Sequence, residues 1–247
     1  MEHITSRQNP LLQQIKKLQA SRSLRYREKR FVADGTKLLG EAVRWCDGLE
    51  AVVLQDGVNA AVPKGVRCVT VPRELMQSLS SMEAPQGALF VCKMPECRPL
   101  SLQGGSLILD GIQDPGNLGT ILRTADAMDI PVALTDGCAD PYGEKTVRAS
   151  MGAVFRSQPQ QASRKAVLDF CRNSDIPLAV TALSEDACDI RKAPLRDLAV
   201  VIGSEGKGVC EEYLRAAGMR LVIPMNPRCE SLNAAVAAAI VMWQMKR

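Results

Sequence analysis

Histidine is nearly absent from this chain of 247 residues, which contains only His3, close to the amino terminus. A Ser-His-Asp triad, a Cys-His pair and a histidine-ligated metal site all need a histidine that other groups hold in place. These sites are therefore almost excluded, and no metal is predicted. Any chemistry has to use carboxylates, Arg, Lys, Ser, Tyr or Asn, or a cofactor that needs little from the protein except placement.

Other features are missing as well. The nine cysteines are odd in number and no pair has C-x-x-C spacing, so we expect reduced thiols. No apolar run approaches the roughly 20 residues that cross a bilayer, and the amino terminus lacks the layout of a signal peptide, so a cytosolic protein is expected. Aromatic residues make up only 4% of the chain, and base stacking is not expected to dominate any binding of nucleic acid.

Positive charge is concentrated at the amino-terminal end of the chain. Residues 1–44 contain ten Lys and Arg against four Asp and Glu, an excess of six, whereas the whole chain carries a net charge of +4. Such an excess is typical of a protein that binds a phosphate backbone, although a solvated helix face would also explain it. If nucleic acid is bound, charge and shape are expected to hold it.

The pattern of apolar residues predicts two α/β halves that meet near residue 98. The first half is predicted to be a small α/β sandwich, and residues 93–99, rich in proline and charge, a linker. Its predicted elements are helices over 9–20, with a basic outer side, and about 36–45, and strands near 31–33, 51–54, 67–71 and 88–91.

The second half alternates between strands and helices. The last helix is predicted to run from Ser231 to the end of the chain. This alternation indicates a mostly parallel sheet that helices cover on both faces. The predicted strands lie at about 106–110, 130–135, 178–182, 198–202 and 220–223.

The joint between the strand at 106–110 and the next helix is the most informative segment. Pro115 and Gly116 suit the second and third positions of a turn, and Asn117 is then expected to cap the helix. Apolar residues recur at helical spacing after this turn and place Arg123 off their face. A polar loop at the carboxyl end of a strand is the usual ligand crevice of an open α/β sheet, although any α/β protein has such joints.

Two further strands end in loops that suit a ligand. Residues 203–208 contain three glycines in six positions, which let a ligand approach the backbone closely. They match neither a Walker loop nor the dinucleotide G-x-G-x-x-G pattern, and a simple strand-to-helix turn is the alternative. The strand at 220–223 leads to Ser231, the expected cap of the last helix, and Asn233 is expected to face the loop from the first turn.

Together, these three segments resemble the SpoU class of the knotted SPOUT methyltransferases, which transfer a methyl group from S-adenosylmethionine to a ribose 2′-hydroxyl of RNA. The resemblance covers residues 105–247 and includes the segment 145–153 between the first two motifs. Ser204 stands where many members carry Asn, and both side chains can form hydrogen bonds. The motifs, in order, are Asp114-Pro-x-Asn117-x-Gly119-x-x-x-Arg123-Thr124, Ile202-Gly-Ser-Glu205-Gly-x-Gly208 and Ile223-Pro-Met225 running to Ser231-Leu-Asn233-Ala-Ala-Val236.

The resemblance implies a fold and a cofactor. It implies a trefoil knot formed by the loops 203–208 and 223–233, in a methyltransferase domain over 99–247 that dimerises with a second copy. Residues 1–98 look like the substrate-binding domain of many such enzymes, which is related to a ribosomal-protein fold. The residues implied to bind S-adenosylmethionine are Gly203, Ser204, Gly206, Gly208, Ile223, Pro224, Met225, Ser231 and Leu232.

The resemblance also implies catalytic roles. Arg123 acts near the hydroxyl and an RNA phosphate, Asn117 and Glu205 shape the site, and Ser231 and Asn233 assist. Guanidinium groups are poor bases at neutral pH because their pKa exceeds about 12. Two roles therefore stay open for Arg123: a desolvated, phosphate-coupled guanidinium accepts the proton, or it stabilises the alkoxide while another group accepts it.

The substrate predicted for the chain is RNA, and ribosomal RNA is favoured over transfer RNA because the basic first half resembles a ribosomal-protein fold. Arg148 has a second possible role, in the site of a neighbouring subunit. The residues predicted to contact RNA are Arg7, Lys16, Lys17, Arg22, Arg25, Arg27 and Arg148.

Three other functions compete with this prediction. The first is a transfer RNA 2′-O-methyltransferase. The second is a non-catalytic RNA-binding or ribosome-assembly protein of the same fold, which would be distinguished by the loss of Asn117, Arg123, Glu205 or Asn233, and all four are present. The third, a nucleotide-dependent oxidoreductase, is disfavoured because the dinucleotide fingerprint is missing.

Overall fold

The protein is described here by a computed structural model that covers residues 2–226 and 228–247. The chain forms two compact units, one of Met1–Glu96 with Asp140–Arg156 and one of Cys97–Ala139 with Ser157–Arg247. The first break lies close to the predicted border at residue 98. The segment Asp140–Arg156 belongs to the first unit by its packing, although the second unit precedes and follows it in sequence.

The described residues form two sheets and the helices around them. The strands are β1 (Glu2–His3), β2 (Arg30–Asp34), β3 (Leu49–Gln55), β4 (Arg67–Val71), β5 (Ala88–Lys93), β6 (Leu107–Asp110), β7 (Val132–Leu134), β8 (Gln160–Gln161), β9 (Leu178–Thr181), β10 (Cys188–Asp189), β11 (Ala199–Gly203) and β12 (Met219–Val222). The α-helices are α1 (Pro10–Ala20), α2 (Arg22–Glu28), α3 (Thr36–Trp45), α4 (Arg73–Leu79), α5 (Pro115–Ala127), α6 (Glu144–Ala149), α7 (Ala153–Arg156), α8 (Arg164–Asn173), α9 (Glu211–Ala216) and α10 (Ala234–Met245).

The first unit is built on a mixed sheet of five strands in the order β1-β4-β3-β5-β2. Strands β1 and β3 are parallel to β4, whereas β5 is antiparallel to both β2 and β3. Valines on one face of the sheet pack with the buried leucines of α1 and α4. This packing explains why α1 carries its lysines on the outside, as its apolar spacing predicted.

The aromatic residues of the first unit come from both of its chain segments. Phe31 of β2 lies 5.2 Å from Tyr142 and 6.1 Å from Phe155 between ring centroids, and Phe90 of β5 lies 6.4 Å from Phe155. All four side chains are buried. Because large aromatic rings contribute much of a core's buried area, the segment 140–156 is part of the core of the first unit.

The second unit is a sheet of seven strands in the order β10-β12-β9-β11-β6-β7-β8. Every neighbouring pair is parallel, which confirms the predicted parallel sheet. The five predicted strands appear as β6, β7, β9, β11 and β12, within two residues at each end. The trefoil knot stays a prediction.

Two details of the second unit matter for the site. Strands β6 and β11 are in register, so that Gly203 pairs with Asp110 at the carboxyl end of both strands. Strands β9 and β12 end at the same edge, where Thr181 pairs with Leu221. Ligands of open α/β sheets bind at this edge. Among the described residues, no helix has the length and apolar character needed to cross a membrane.

Candidate functional site

The joint between β6 and α5 differs from the predicted turn. Helix α5 already begins at Pro115, so Pro115 and Gly116 belong to its first turn. The predicted cap at Asn117 is wrong, because Asp114 is the N-cap and its Oδ1 accepts the backbone N–H of Asn117 at 2.8 Å. Proline fits directly after such a cap, since that position needs no N–H donor. The side chain of Asn117 is thereby left to contact other residues.

Asn117 is the centre of a chain of side-chain hydrogen bonds. Its Nδ2 donates to Oε1 of Glu205, and its Oδ1 accepts from Nδ2 of Asn233 at 3.0 Å. Asn233, and not the predicted Ser231, caps α10, because its Oδ1 accepts the backbone N–H groups of Ala235 at 2.9 Å and Val236 at 3.3 Å. The polar chain Glu205–Asn117–Asn233 therefore joins the loop after β11 to the first turns of α5 and α10.

The loop after β11 turns back sharply on itself. The backbone N–H of Ser204 donates to the carbonyl of Gly208 at 3.1 Å, and the N–H of Gly208 donates to the carbonyl of Ser204 at 2.9 Å. A Cβ atom on Gly203 would lie 2.1 Å from the carbonyl carbon of Gly208, and Gly208 has a φ of +66°. Gly203 is thus required by the close approach of the backbone at Gly208, and Gly208 by its own backbone conformation.

A cavity of about 470 Å³ opens beside this loop. It lies at the carboxyl ends of β9, β11 and β12 and at the start of α10, and its size is in the range of small-molecule sites. Gly206 and Pro224, which were predicted to bind the cofactor, do not line it. The predicted residues that do are Gly203, Ser204, Gly208, Ile223, Met225, Ser231 and Leu232.

Sequence reasoning missed the end of β9 and the two residues that follow it. Thr181, Ala182 and Leu183 line the same cavity. No motif marks these residues, but their position follows from the order of the sheet, because β9 lies between β11 and β12. Knowing the strand order would have been enough to include them, since the carboxyl ends of parallel neighbours meet at one edge.

Arg123 lies apart from the polar chain. It is exposed on α5 and forms no hydrogen bond or ion pair with any residue in 2–226 or 228–247. Helical geometry separates it from Asn117 by six residues, which is about 120° around the axis. The apolar face of α5 is buried, so the prediction that Arg123 lies off that face is confirmed. Ser231 also has no side-chain hydrogen bond within the described part of the chain.

Most of the basic residues predicted to contact RNA are on the surface of the first unit. Arg22 lies over the ring of Tyr26, with 5.4 Å between its guanidinium carbon and the ring centroid. The exposed members of the set are Arg7, Lys16, Lys17, Arg22 and Arg27.

Arg25 is the exception, and its predicted contact with RNA is wrong. It is 7% exposed, and its Nη2 donates to Oδ2 of Asp140 at 2.6 Å. Its Nη1 donates to the carbonyls of Leu18 at 2.6 Å and Gln19 at 3.1 Å. The guanidinium therefore ties α2 to the end of α1 and to the segment 140–156, all within the first unit.

Arg148, on α6, belongs to a polar cluster of the first unit. It pairs with Glu144 at 3.8 Å, and Glu144 also accepts from Ser81 at 2.6 Å and Gln19 at 3.3 Å. Asp34, at the end of β2, is 2% exposed and accepts a hydrogen bond from Ser80, and burial raises the pKa of its carboxyl group. The side chain of Arg148 is half-buried here.

A second, more open concavity of about 500 Å³ runs between α5 and α10. Asn117 and Asn233 lie at one end of it, so the polar chain stands between this groove and the cavity. Val236 is 48% exposed and Trp243 is 63% exposed. The residues lining the groove are Asn117, Thr120, Thr124, Asn233, Ala235, Val236, Ala239, Ile240 and Trp243.

The donor groups favour an organic ligand over a metal ion. Within 2–226 and 228–247, no group of three or more His, Cys, Asp or Glu side chains is arranged to hold a metal. The cavity instead combines apolar side chains with the backbone of the glycine loop and three charged residues, Glu205, Lys207 and Glu230. This is the usual composition of a cofactor site.

Comparison with known proteins identifies relatives along the whole chain. Two family models match, the SpoU rRNA Methylase family over residues 105–243 and the MRM3-like substrate binding domain over residues 9–89. The 23S rRNA (guanosine(2553)-2′-O)-methyltransferase RlmP of Bacillus subtilis is 30% identical over 100% of both chains.

Two solved structures are also similar. A putative RNA methyltransferase of the TrmH family from Porphyromonas gingivalis has a TM-score of 0.84 at 32% identity, over 95% of this chain and 96% of that chain. An AdoMet-bound rRNA methyltransferase from Sinorhizobium meliloti has a TM-score of 0.85 at 27% identity, over 100% of this chain and 97% of that chain.

Proposed function

Because the chain belongs to the SpoU rRNA methylase family, as its three motifs predicted, we propose that it transfers a methyl group from S-adenosylmethionine to a ribose 2′-hydroxyl of ribosomal RNA. The polar chain Glu205–Asn117–Asn233 is the observation that supports the placement of the reaction site. It stands beside a cavity of cofactor size, and Asn117 shares helix α5 with the exposed Arg123.

S-adenosylmethionine fits the cavity of about 470 Å³. The side chains of Leu183, Ile223, Met225 and Leu232 suit an aromatic base and a methylene chain, and the backbone of the glycine loop suits polar groups of the ligand. When bound, the cofactor supplies an electrophilic methyl group on a sulfonium. The protein has to hold this group in line with the ribose oxygen, and such alignment contributes much of the rate of a transfer reaction.

Different residues are proposed to align the cofactor and the RNA. Asn117 is held from both sides, by Glu205 and by Asn233, so the three side chains have one mutual orientation. The glycine loop sets the backbone that faces the ligand. Guanidinium groups are poor bases, which favours a role for Arg123 in stabilising the alkoxide and binding an RNA phosphate over a role as proton acceptor. Another group then accepts the proton of the ribose hydroxyl.

Two alanines of α10 allow the cavity and the groove to be tested separately. Ala237 lines the cavity and Ala239 lines the groove. Ala237→Phe is expected to weaken binding of S-adenosylmethionine, measured by calorimetry, at least about tenfold because the ring occupies the ligand's space. Ala239→Phe is the matched control and should bind the cofactor like the wild type. Equal cofactor affinity for both variants would contradict the placement of the cofactor in the cavity.

The groove between α5 and α10 is proposed as the interface of a homodimer. The exposed apolar side chains Val236 and Trp243 line the same groove, and exposed apolar patches mark interaction sites. A second copy seated there would lie beside Asn117 and Asn233, and thus beside the reacting groups. Sedimentation is expected to give a dimer for the wild type and a monomer for Trp243→Arg, and an active monomeric wild type would refute the interface.

The first unit is proposed to bind the RNA. It comprises residues 1–96, which are nearly all of the predicted substrate-binding domain of residues 1–98, together with the segment 140–156. The exposed Arg7, Lys16, Lys17, Arg22 and Arg27 supply its positive charge. Arg148 is kept as a further contact or as a residue that reaches a neighbouring subunit. The nine cysteines are all free thiols, which fits the proposal that the enzyme works in the cytosol.

A further inference from the structure

We infer that Asp110 is a positioning residue for methyl transfer: its carboxylate fixes the exit of the glycine loop, residues 203–208, and so preorganises the cofactor cavity. The inference rests on the proposed placement of S-adenosylmethionine in that cavity. Asp110 is the last residue of β6 and lies outside the three motifs that indicated the function. It does not line the cavity, so any effect on the cofactor has to pass through the loop.

The carboxylate of Asp110 is buried and fully engaged. The residue is 2% exposed. Its Oδ1 accepts from Nε of Arg164 at 2.7 Å and from Oγ1 of Thr135 at 3.1 Å, and its Oδ2 accepts from the backbone N–H of Cys210 at 2.9 Å. A buried charge is stable only with such partners, so the carboxylate has one defined position.

The contact with Cys210 is the one that reaches the site. Gly203 pairs with Asp110 across β11 and β6, so the loop begins beside the backbone of Asp110. The loop ends at Gly208, and the side chain of the same Asp110 holds the backbone two residues later, at the N-cap of α9. One residue thus fixes both ends of a loop whose middle, from Glu205 to Lys207, is exposed.

Arg164 keeps the carboxylate in place from the other side. Its Nη2 also donates to the carbonyl of Asp136 at 3.0 Å, and its backbone N–H donates to Oδ2 of Asp136 at 3.1 Å. The hydrogen bond to Asp110 raises the pKa of Arg164, so the guanidinium stays protonated across the physiological range. The exit of the glycine loop is therefore anchored to the start of α8 as well as to the sheet.

Substitution of Asp110 should separate cofactor binding from RNA binding. Asp110→Ala is expected to weaken binding of S-adenosylmethionine at least about tenfold, because part of the binding free energy is then used to order the loop. RNA affinity should stay within about twofold of the wild type. Asp110→Asn keeps an oxygen that can accept from the N–H of Cys210, so its loss should be clearly smaller. Asp169→Ala, which removes an exposed carboxylate paired with Lys165, is the matched control.

Calorimetry with S-adenosylmethionine, filter binding with ribosomal RNA and amide hydrogen exchange by NMR decide the outcome. Wild-type cofactor affinity in a folded Asp110→Ala variant would overturn the inference, and so would equal losses of cofactor and RNA affinity or equal losses for Ala and Asn. In the ligand-free wild type, the amide of Cys210 should exchange more slowly than that of Glu205; equal rates would overturn the inference even if Asp110→Ala did not fold. If the cofactor failed to protect residues 204–208 in the wild type, the placement of the site would be wrong instead.

Discussion

The helices α2 and α5 use an arginine in opposite ways. Arg25 of α2 is 7% exposed and donates to Asp140 and to backbone carbonyls of its own unit. Arg123 of α5 is exposed and has no partner among the described residues. Both were predicted from sequence to meet the RNA. The difference arises from Asp140, which lies 115 residues after Arg25 in the chain and is packed against it by the fold. A carboxylate that is distant in sequence thus decides which of the two arginines is buried in an ion pair and which stays exposed.

The comparison predicts that removing Arg25 acts on stability. Arg25→Ala leaves Asp140 buried beside an empty position, and the loss of one partner of a buried pair costs about 3–5 kcal/mol of unfolding free energy. Urea denaturation measures this loss. Arg22→Ala is the control, since Arg22 is exposed on the same helix and lies over the ring of Tyr26. An equally small effect of both substitutions would remove the distinction between the two kinds of arginine.

Removing Arg123 is expected to act on turnover and not on stability. Arg123→Ala should lower kcat about a hundredfold, typical of the loss of one group that stabilises developing charge, and Arg123→Lys should recover part of it. Methyl transfer under saturating cofactor measures the effect, and urea denaturation should give the wild-type midpoint. Arg172→Ala, at an exposed position of α8, is the control. Full activity of both Arg123 variants would show that neither proposed role is correct.

Exposed lysines of α1 should affect RNA affinity alone. Lys16→Glu/Lys17→Glu is expected to weaken RNA binding about tenfold and to reduce its dependence on salt, because fewer counterions are released. Lys64→Glu/Arg73→Glu makes the same change of charge at exposed positions outside α1 and α2 and should change affinity less than about threefold. Filter binding at two salt concentrations distinguishes the pairs. A similar loss for both would show that only the net charge matters.

The smallest expected effect concerns Asp34, a buried carboxylate that lacks the arginine partner of Asp140. Burial raises the pKa of Asp34 in the folded protein above its ordinary value of 3.8, so the folded state binds the proton more tightly than the unfolded state. Stability should therefore fall as pH rises from about 3.8 through the raised pKa. Asp34→Asn should be more stable than the wild type at neutral pH, by an amount on the order of 1 kcal/mol, and equally stable near pH 3.

Denaturation of the Asp34→Asn variant at both pH values checks this expectation. Asp47→Asn, at an exposed position of the same unit, should leave stability unchanged at either pH. A wild type as stable as Asp34→Asn at neutral pH would show that the hydrogen bond from Ser80 offsets the burial of the carboxylate.

The elements that could be predicted from sequence are those whose signal is local. Strands such as β6 and β11 are short apolar segments, and α5 carries its leucines and isoleucine at helical spacing. The same spacing predicted that Arg123 lies off the apolar face of α5. The two caps at Asn117 and Ser231 were misplaced, because another capping residue stands near each of them, Asp114 and Asn233.

The remaining features depend on contacts between distant parts of the chain. Packing of residues 140–156 with the first unit, the burial of Arg25 and the contribution of Thr181 to the cavity all follow from the strand order and the tertiary fold. Periodicity within a window of residues carries no information on such pairs. The three motifs indicated the family because they consist of particular residue types at fixed spacing. The residues that contact the side chain of Asp110 lie between these motifs, so no motif indicated them.

The most direct test of the account uses the chemical form of the product. Purified protein is incubated with tritium-labelled S-adenosylmethionine and either ribosomal or transfer RNA, and the labelled RNA is digested with alkali. A methyl group on the 2′-oxygen blocks cleavage at that nucleotide, so we expect label in alkali-resistant dinucleotides from ribosomal RNA. Label in the mononucleotides that alkali releases, label found only in transfer RNA, or no transfer at all would contradict the proposed reaction.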